Sequence, residues 1–186
     1  MFKMNTYLLF LFVSLIGLAS SKTGWCPEPN NSAKVVWTEF FGTWYEYASY
    51  GDGTTRTFYK CMKYTFTPTT ETSVDALRSY EFKLFSIAGS SSYTIQPESF
   101  SDFLMKGEGF ATKNIVMWLI DTDYNNYAIL WSCKDNLGMF YTQTSWILTR
   151  NQTESLNKEV QSKLETVLND HKMSWSDYGS VTQSGC

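Results

Sequence analysis

From Gly42 to Arg150 the chain is a succession of short runs in which residues of unlike polarity alternate, each bounded by glycine, proline or small polar residues. A period of two is the signature of a strand that shows a different environment to each face. The first run, Gly42-Thr43-Trp44-Tyr45-Glu46-Tyr47-Ala48, puts Trp44, Glu46 and Ala48 on one face and Tyr45, Tyr47 and Ser49 on the other. A carboxylate between Trp44 and Ala48 does not suit a solid apolar sandwich; it suits strands that line a part-filled hollow. Further strands are predicted over 57–67, 74–85, 93–96, 103–110, 115–120, 127–133 and 139–150. Turn signals separate them at Gly51-Asp52-Gly53, Pro68 to Thr72, Ala88-Gly89-Ser90-Ser91-Ser92, Pro97 and Asp135-Asn136-Leu137-Gly138. The fold class expected is all-β: an eight-stranded up-and-down antiparallel β-barrel, an even-numbered meander that closes without a free edge.

The period changes after Arg150. Leu156, Val160, Leu164 and Leu168 recur every fourth residue with Val167 beside them, predicting one amphipathic C-terminal α-helix packed outside the barrel. Thr153 is its expected N-cap, with Glu154 in the first turn and His171-Lys172 at the last. A helical turn is expected over 35–40, after a proline-rich lead-in at Cys26-Pro27-Glu28-Pro29. The tail carries Trp175, Tyr178 and a terminal Cys186, and is expected to be stapled back onto the body.

Residues 1–20 read differently. Lys3 precedes the apolar run Tyr7-Leu8-Leu9-Phe10-Leu11-Phe12-Val13, and small residues follow at Gly17, Ala19, Ser20 and Ser21, as in a secretory signal peptide cut near 19–21. The run is too short for a membrane anchor, and no later stretch spans a bilayer. Residues 21–186 are then expected to form a single secreted, extracellular domain. Cys26, Cys61, Cys133 and Cys186 imply two disulfides, with three pairings open. Asn30 and Asn151 begin N-glycosylation acceptor triplets.

Lysine and arginine total 15 against 18 acidic residues, and the basic ones are scattered, which argues against nucleic acid or an anionic membrane as partner. Seven tryptophans, twelve tyrosines and thirteen phenylalanines exceed what closing a small core requires, and suit a flat or conjugated ligand. With His171 the single histidine, nucleophile–base pairs and histidine-rich zinc sites are poorly supplied. No catalytic residue and no metal site are assigned; a binding protein is expected, not an enzyme.

Gly42-Thr43-Trp44 after a helical turn, Thr122-Asp123-Tyr124 between two late strands, and Arg150 ending the last strand resemble the three lipocalin motifs in order and spacing. Lys60-Cys61 followed by Tyr64 and Phe66, with a terminal cysteine, is similar to the bilin-binding protein, insecticyanin and apolipoprotein D subgroup; Trp37 and Phe40 depart from its Asn-Phe-Asp stretch. The resemblance implies pairs Cys26–Cys133 and Cys61–Cys186, with Trp44 plugging the shut base under the Arg150 guanidinium. Gly42, Thr122, Asp123 and Tyr124 are then structural, Asp123 accepting backbone N–H groups in a tight turn.

Alternation on that frame turns Glu46, Ala48 and Tyr50 inward, with Met62, Tyr64 and Phe66, Ala128 and Leu130, and Trp146; the resemblance adds Met117 and Leu119. These eleven residues are the expected ligand contacts. Glu46 has two readings: it hydrogen-bonds a neighbouring tyrosine or serine, or it meets a polar, cationic or pyrrole N–H group of the ligand. The resemblance implies a carrier of a small hydrophobic molecule, first biliverdin or another tetrapyrrole held non-covalently. A retinoid, carotenoid, fatty acid or pheromone is the alternative, and a salivary-type lipocalin that scavenges amines or inhibits proteases is a third. A homo-oligomer is compatible with each.

Overall fold

The computed structural model describes residues 21–29, 32–51, 53–70, 73–108 and 114–186. The expected leader, residues 1–20, and the Asn30 acceptor lie outside the described residues. Eight antiparallel strands form the barrel: β2 (Gly42–Tyr50), β3 (Tyr59–Pro68), β4 (Val74–Phe82), β5 (Ile87–Pro97), β6 (Asp102–Gly107), β7 (Ile115–Thr122), β8 (Tyr127–Asn136) and β9 (Phe140–Thr149). Each pairs with its neighbour in sequence, and β2 pairs with β9 to close the cylinder, Tyr45 opposite Thr149 and Glu46 opposite Leu148. Two short strands flank this frame, β1 (Ser21–Thr23) on β9 and β10 (Gly179–Ser180) on β2.

Helix α1 (Trp37–Phe40) crosses the base, α2 (Gly53–Phe58) joins β2 to β3 at the mouth, and α3 (Lys158–Asp170) packs outside. The apolar residues fall into two bodies. One fills the lower barrel with Phe40, Trp44, Phe66, Phe103, Leu130 and their neighbours. The other lies between the outer wall and α3, where Tyr127, Ile129 and Ile147 meet Leu164 and Leu168. Outward residues on β8, with Ile120 on β7 and Ile147 on β9, are therefore as apolar as inward ones, because a helix covers them.

Several boundaries differ from the sequence pattern. Ala88-Gly89-Ser90-Ser91-Ser92 is no turn; it lies within β5, and the reversal comes earlier, where Ser86 N–H donates to Phe82 O at 2.8 Å. The small residues are there for space, since a Cβ on Gly89 would stand 2.5 Å from the Tyr80 ring. Helix α3 starts later than Thr153. Asn157 is the N-cap, its Oδ1 accepting from Val160 N at 2.8 Å, while Thr153 Oγ1 accepts from Ser155 N in a local turn.

The tail fills a gap between strands. β2 and β3 pair only over Gly42–Tyr45 before they part, and β10 takes the freed edge of β2 at Ala48 and Ser49. Cys61 N–H then donates to Thr182 O at 2.9 Å, and Gln183 Nε2 donates to Glu46 O and Met62 O, each at 2.9 Å. Both carbonyls sit where register slips in β2 and β3, so the buried amide satisfies acceptors that the ladders leave open. The disulfides are Cys26–Cys133, which holds the lead-in to β8, and Cys61–Cys186, which anchors this strap.

Candidate ligand-binding site

The shut base positions everything above it. Trp44 is wholly buried, its Nε1 donates to Phe40 O at 2.8 Å, and the Arg150 guanidinium lies 3.7 Å above its ring centroid. Arg150 Nε donates to Tyr124 O and Nη1 to Phe41 O, each at 2.9 Å, and Nη2 to Glu39 O. Burial lowers the pKa of this guanidinium; the carbonyls and the indole face are what it receives in place of water. Gly42 is needed beneath it, for its φ is +97° and a Cβ there would touch Arg150 Nη1 at 3.4 Å. Phe40, Phe66 and Phe103 complete the floor, with Trp37 edge-on to Phe103 at 5.3 Å.

The 122–124 turn fixes the lead-in to this base. Thr122 Oγ1 accepts from Tyr124 N at 2.9 Å and donates to Tyr127 O at 2.7 Å, and Tyr124 OH donates to Lys34 O while accepting from Val36 N. Asp123 Oδ1 accepts from the backbone N–H of Asn125, Asn126 and Tyr127. Burial alone would raise the Asp123 pKa, but these bonds and one from the Asn126 side chain hold it below the usual carboxylate range. A depressed folded pKa stabilises the protein above the unfolded value and loses that stability as pH falls through the folded one. Asp123→Asn is therefore expected to lower stability at pH 7 and flatten its decline below about pH 4. Denaturation midpoints from pH 7 to 2 read this, and parallel curves for parent and variant would refute it.

Above the floor, the inner face turns polar in one strip. Glu46 is fully buried, and Tyr64 OH donates to its Oε2 at 3.5 Å. The Arg78 guanidinium, on the residue that faces Tyr64 across β3 and β4, lies 5.7 Å from the Tyr64 ring and is half-buried. Trp146 faces in from β9 next to Ser49 and Leu130. Its Nε1 is buried and meets no acceptor among the described residues. Further toward the mouth the inward residues become half-exposed: Tyr80 and Phe82 on β4, Gly89 and Ser91 on β5, Thr144 on β9. The barrel is thus packed at the base and accessible at the top.

Of the expected contacts, Glu46, Met62, Tyr64, Phe66, Met117, Leu119, Ala128, Leu130 and Trp146 are buried on inward-facing positions. Ala48 and Tyr50 are corrections. A bulge between Glu46 and Ala48 shifts the register against β9, so parity reverses above Glu46. Ala48 packs in the apolar layer under α3, the Tyr50 ring lies 6.0 Å from that of Tyr178 in the tail, and Ser49 takes the inward place. Arg78 went unread from the sequence, although Val74, Ala76, Arg78, Tyr80 and Phe82 alternate onto one face. Gln183 has no pattern that could have revealed it.

The profile of the lipocalin / cytosolic fatty-acid binding protein family matches residues 41–184. The chain is a lipocalin. Apolipoprotein D of Cavia porcellus is 30% identical over 69 residues, 37% of this chain and 35% of that protein. Lazarillo protein of Schistocerca americana is 35% identical over 68 residues, 36% of this chain and 31% of its own. The lipocalin thus spans about a third of the length of these curated relatives. Among solved structures, insecticyanin from the tobacco hornworm Manduca sexta superposes with a TM-score of 0.76 at 19% identity, covering 89% of each chain. At that identity the likeness is one of fold. Among the described residues this lipocalin has no helix long and apolar enough to cross a membrane and no acidic, histidine or cysteine cluster suited to a metal ion.

Proposed function

We propose that this lipocalin is a secreted carrier, residues 21–186 acting as one domain, that holds a small hydrophobic ligand above the aromatic floor. The observation that carries the reading is the Trp146 indole N–H, buried on the inner face with no acceptor among the described residues. A buried donor left unpaired costs about 1–3 kcal/mol, which a ligand acceptor seated there would recover. Tyr64 and Phe66 add aromatic surface to the same inner apolar body, and Glu46 and Arg78 add polar side chains to the inner face.

A tetrapyrrole such as biliverdin combines these demands: an extended conjugated body, lactam carbonyls as acceptors, pyrrole N–H donors and carboxylate arms. It is also the ligand that the bilin-binding resemblance implies. Because all four cysteines are paired, the chromophore is held without a thiol bond. His171 caps the outer helix, remote from the inner face, which favours binding over catalysis. Asn151 is exposed and is our proposed glycan site just before α3.

Titration of the purified protein with biliverdin, followed by absorbance, tests the reading. Trp146→Phe keeps the aromatic bulk and removes the donor, and is expected to weaken binding about five- to ten-fold. Glu46→Gln in the same assay separates the two roles of that carboxylate: unchanged affinity from pH 5 to 8 makes it purely structural. Saturable uptake of retinol or a fatty acid with none of biliverdin would replace the tetrapyrrole by the alternative carrier reading.

A further inference from the structure

Seven of the ten large hydrophobic residues that stand exposed among the described residues lie at one end of the molecule, the barrel mouth. Phe58, Leu84, Phe85 and Ile87 form one ridge; Lys83 N–H donates to Phe58 O at 2.9 Å, which ties α2 to the β4–β5 turn. Leu137 and Met139 on the β8–β9 turn form the other with Trp25, whose ring covers Gly138 and would lie 3.0 Å from a Cβ there. Leu84 is 80% and Leu137 88% exposed, so neither tip is folded back onto the protein. In a closed barrel of eight strands, the β4–β5 and β8–β9 turns are four strands apart, on opposite sides of the opening.

We propose that these two ridges seat the carrier, mouth down, on a phospholipid surface. A rigid protein partner requires roughly 1,000 Å² of continuous complementary surface, and two tips divided by an opening do not offer it. A fluid lipid surface has no shape to match and accepts separate insertions, with an exposed tryptophan suited to its headgroup level. The charge agrees. Lys83 and Lys134, one behind each ridge, are exposed, Lys83 Nζ donating to the neutral Arg56 carbonyl at 2.7 Å, while the carboxylates beside them are engaged: Glu81 with Lys60 at 3.2 Å and Asp135 Oδ1 with Cys26 N–H at 2.7 Å. The lysines are scattered along the chain, yet folding sets these two where lipid phosphates would stand. Docked in this way, the mouth opens onto the phase in which a hydrophobic cargo is dissolved.

Sedimentation of the ligand-free, disulfide-intact protein with vesicles of phosphatidylcholine, with and without phosphatidylserine, tests the surface. Binding is expected to both and to be tighter with phosphatidylserine. Leu84→Ser/Phe85→Ser and Leu137→Ser/Met139→Ser, one pair per ridge, should each weaken it at least about ten-fold. Lys83→Gln/Lys134→Gln should remove most of the gain from phosphatidylserine and leave phosphatidylcholine binding in place. All substitutions are on exposed side chains, and thermal unfolding of each variant confirms an intact fold. Failure to sediment with either vesicle, or sedimentation that the ridge variants do not change, would overturn the proposal. So would a concentration-dependent dimer abolished by the same variants, which would assign the ridges to a second copy. Biliverdin uptake is read separately and stands or falls apart from this result.

Discussion

Trp44→Ala is expected to destabilise the protein by about 4–6 kcal/mol, the largest loss from any single side chain at the base. Removing a wholly buried tryptophan costs about 3–5 kcal/mol through lost transfer energy and the cavity left behind. The Arg150 guanidinium, 3.7 Å above the ring centroid, then loses a partner worth roughly 0.5–2 kcal/mol. The Phe40 carbonyl loses the indole N–H that it accepts at 2.8 Å. Against a total stability of roughly 5–15 kcal/mol, the variant should lie at the edge of folding. Urea unfolding of parent and variant measures the difference, and a loss under about 2 kcal/mol would mean that the floor is not the keystone argued above. Trp44→Phe is the graded companion: it keeps a ring under Arg150, gives up the hydrogen bond, and should recover more than half of the loss.

Cys61→Ser/Cys186→Ser is the second large effect, and its signature is local as well as global. The bridge closes a loop with a sequence separation of 125, for which chain entropy gives about 4–5 kcal/mol. Its loss also frees the strap that occupies the gap between β2 and β3. Amide exchange should therefore quicken at position 61 and at Val181, whose N–H groups bond Thr182 O and Tyr47 O across that gap. Cys26→Ser/Cys133→Ser, with a similar separation of 107, should cost nearly as much while leaving those two amides protected. Equal exchange at position 61 and at Val181 in both variants would show that the tail holds without its staple.

Most of the fold was legible because barrel strands and an outer helix carry different periods. Trp44 and Glu46, Tyr64 and Phe66, and Ala128 and Leu130 alternate along their strands and face inward as alternation requires. Leu164 and Leu168, one helical turn apart, are buried against the wall as a helical stripe requires. Alternation failed where its premise failed. One extra residue in β2 reversed Ala48 and Tyr50 against their predicted face, and nothing in the local sequence marks a bulge there. The polar run at the start of β5 imitated a turn because its inward glycine makes room for Tyr80 from the next strand.

The amino-acid order alone pointed to the fold class, which rests on spacing within and between short elements, while the closed base and its tryptophan–arginine pair came from the resemblance of the three motifs and meet in the folded barrel. Only the assembled barrel decided what the inner face contains. Arg78 beside Tyr64, the Trp146 indole N–H buried without an acceptor among the described residues, and Gln183 reaching 137 positions back to Glu46 O all depend on how distant segments come together. A period describes which way a side chain points, but not what stands opposite it; that depends on register and closure, which are properties of the folded chain as a whole.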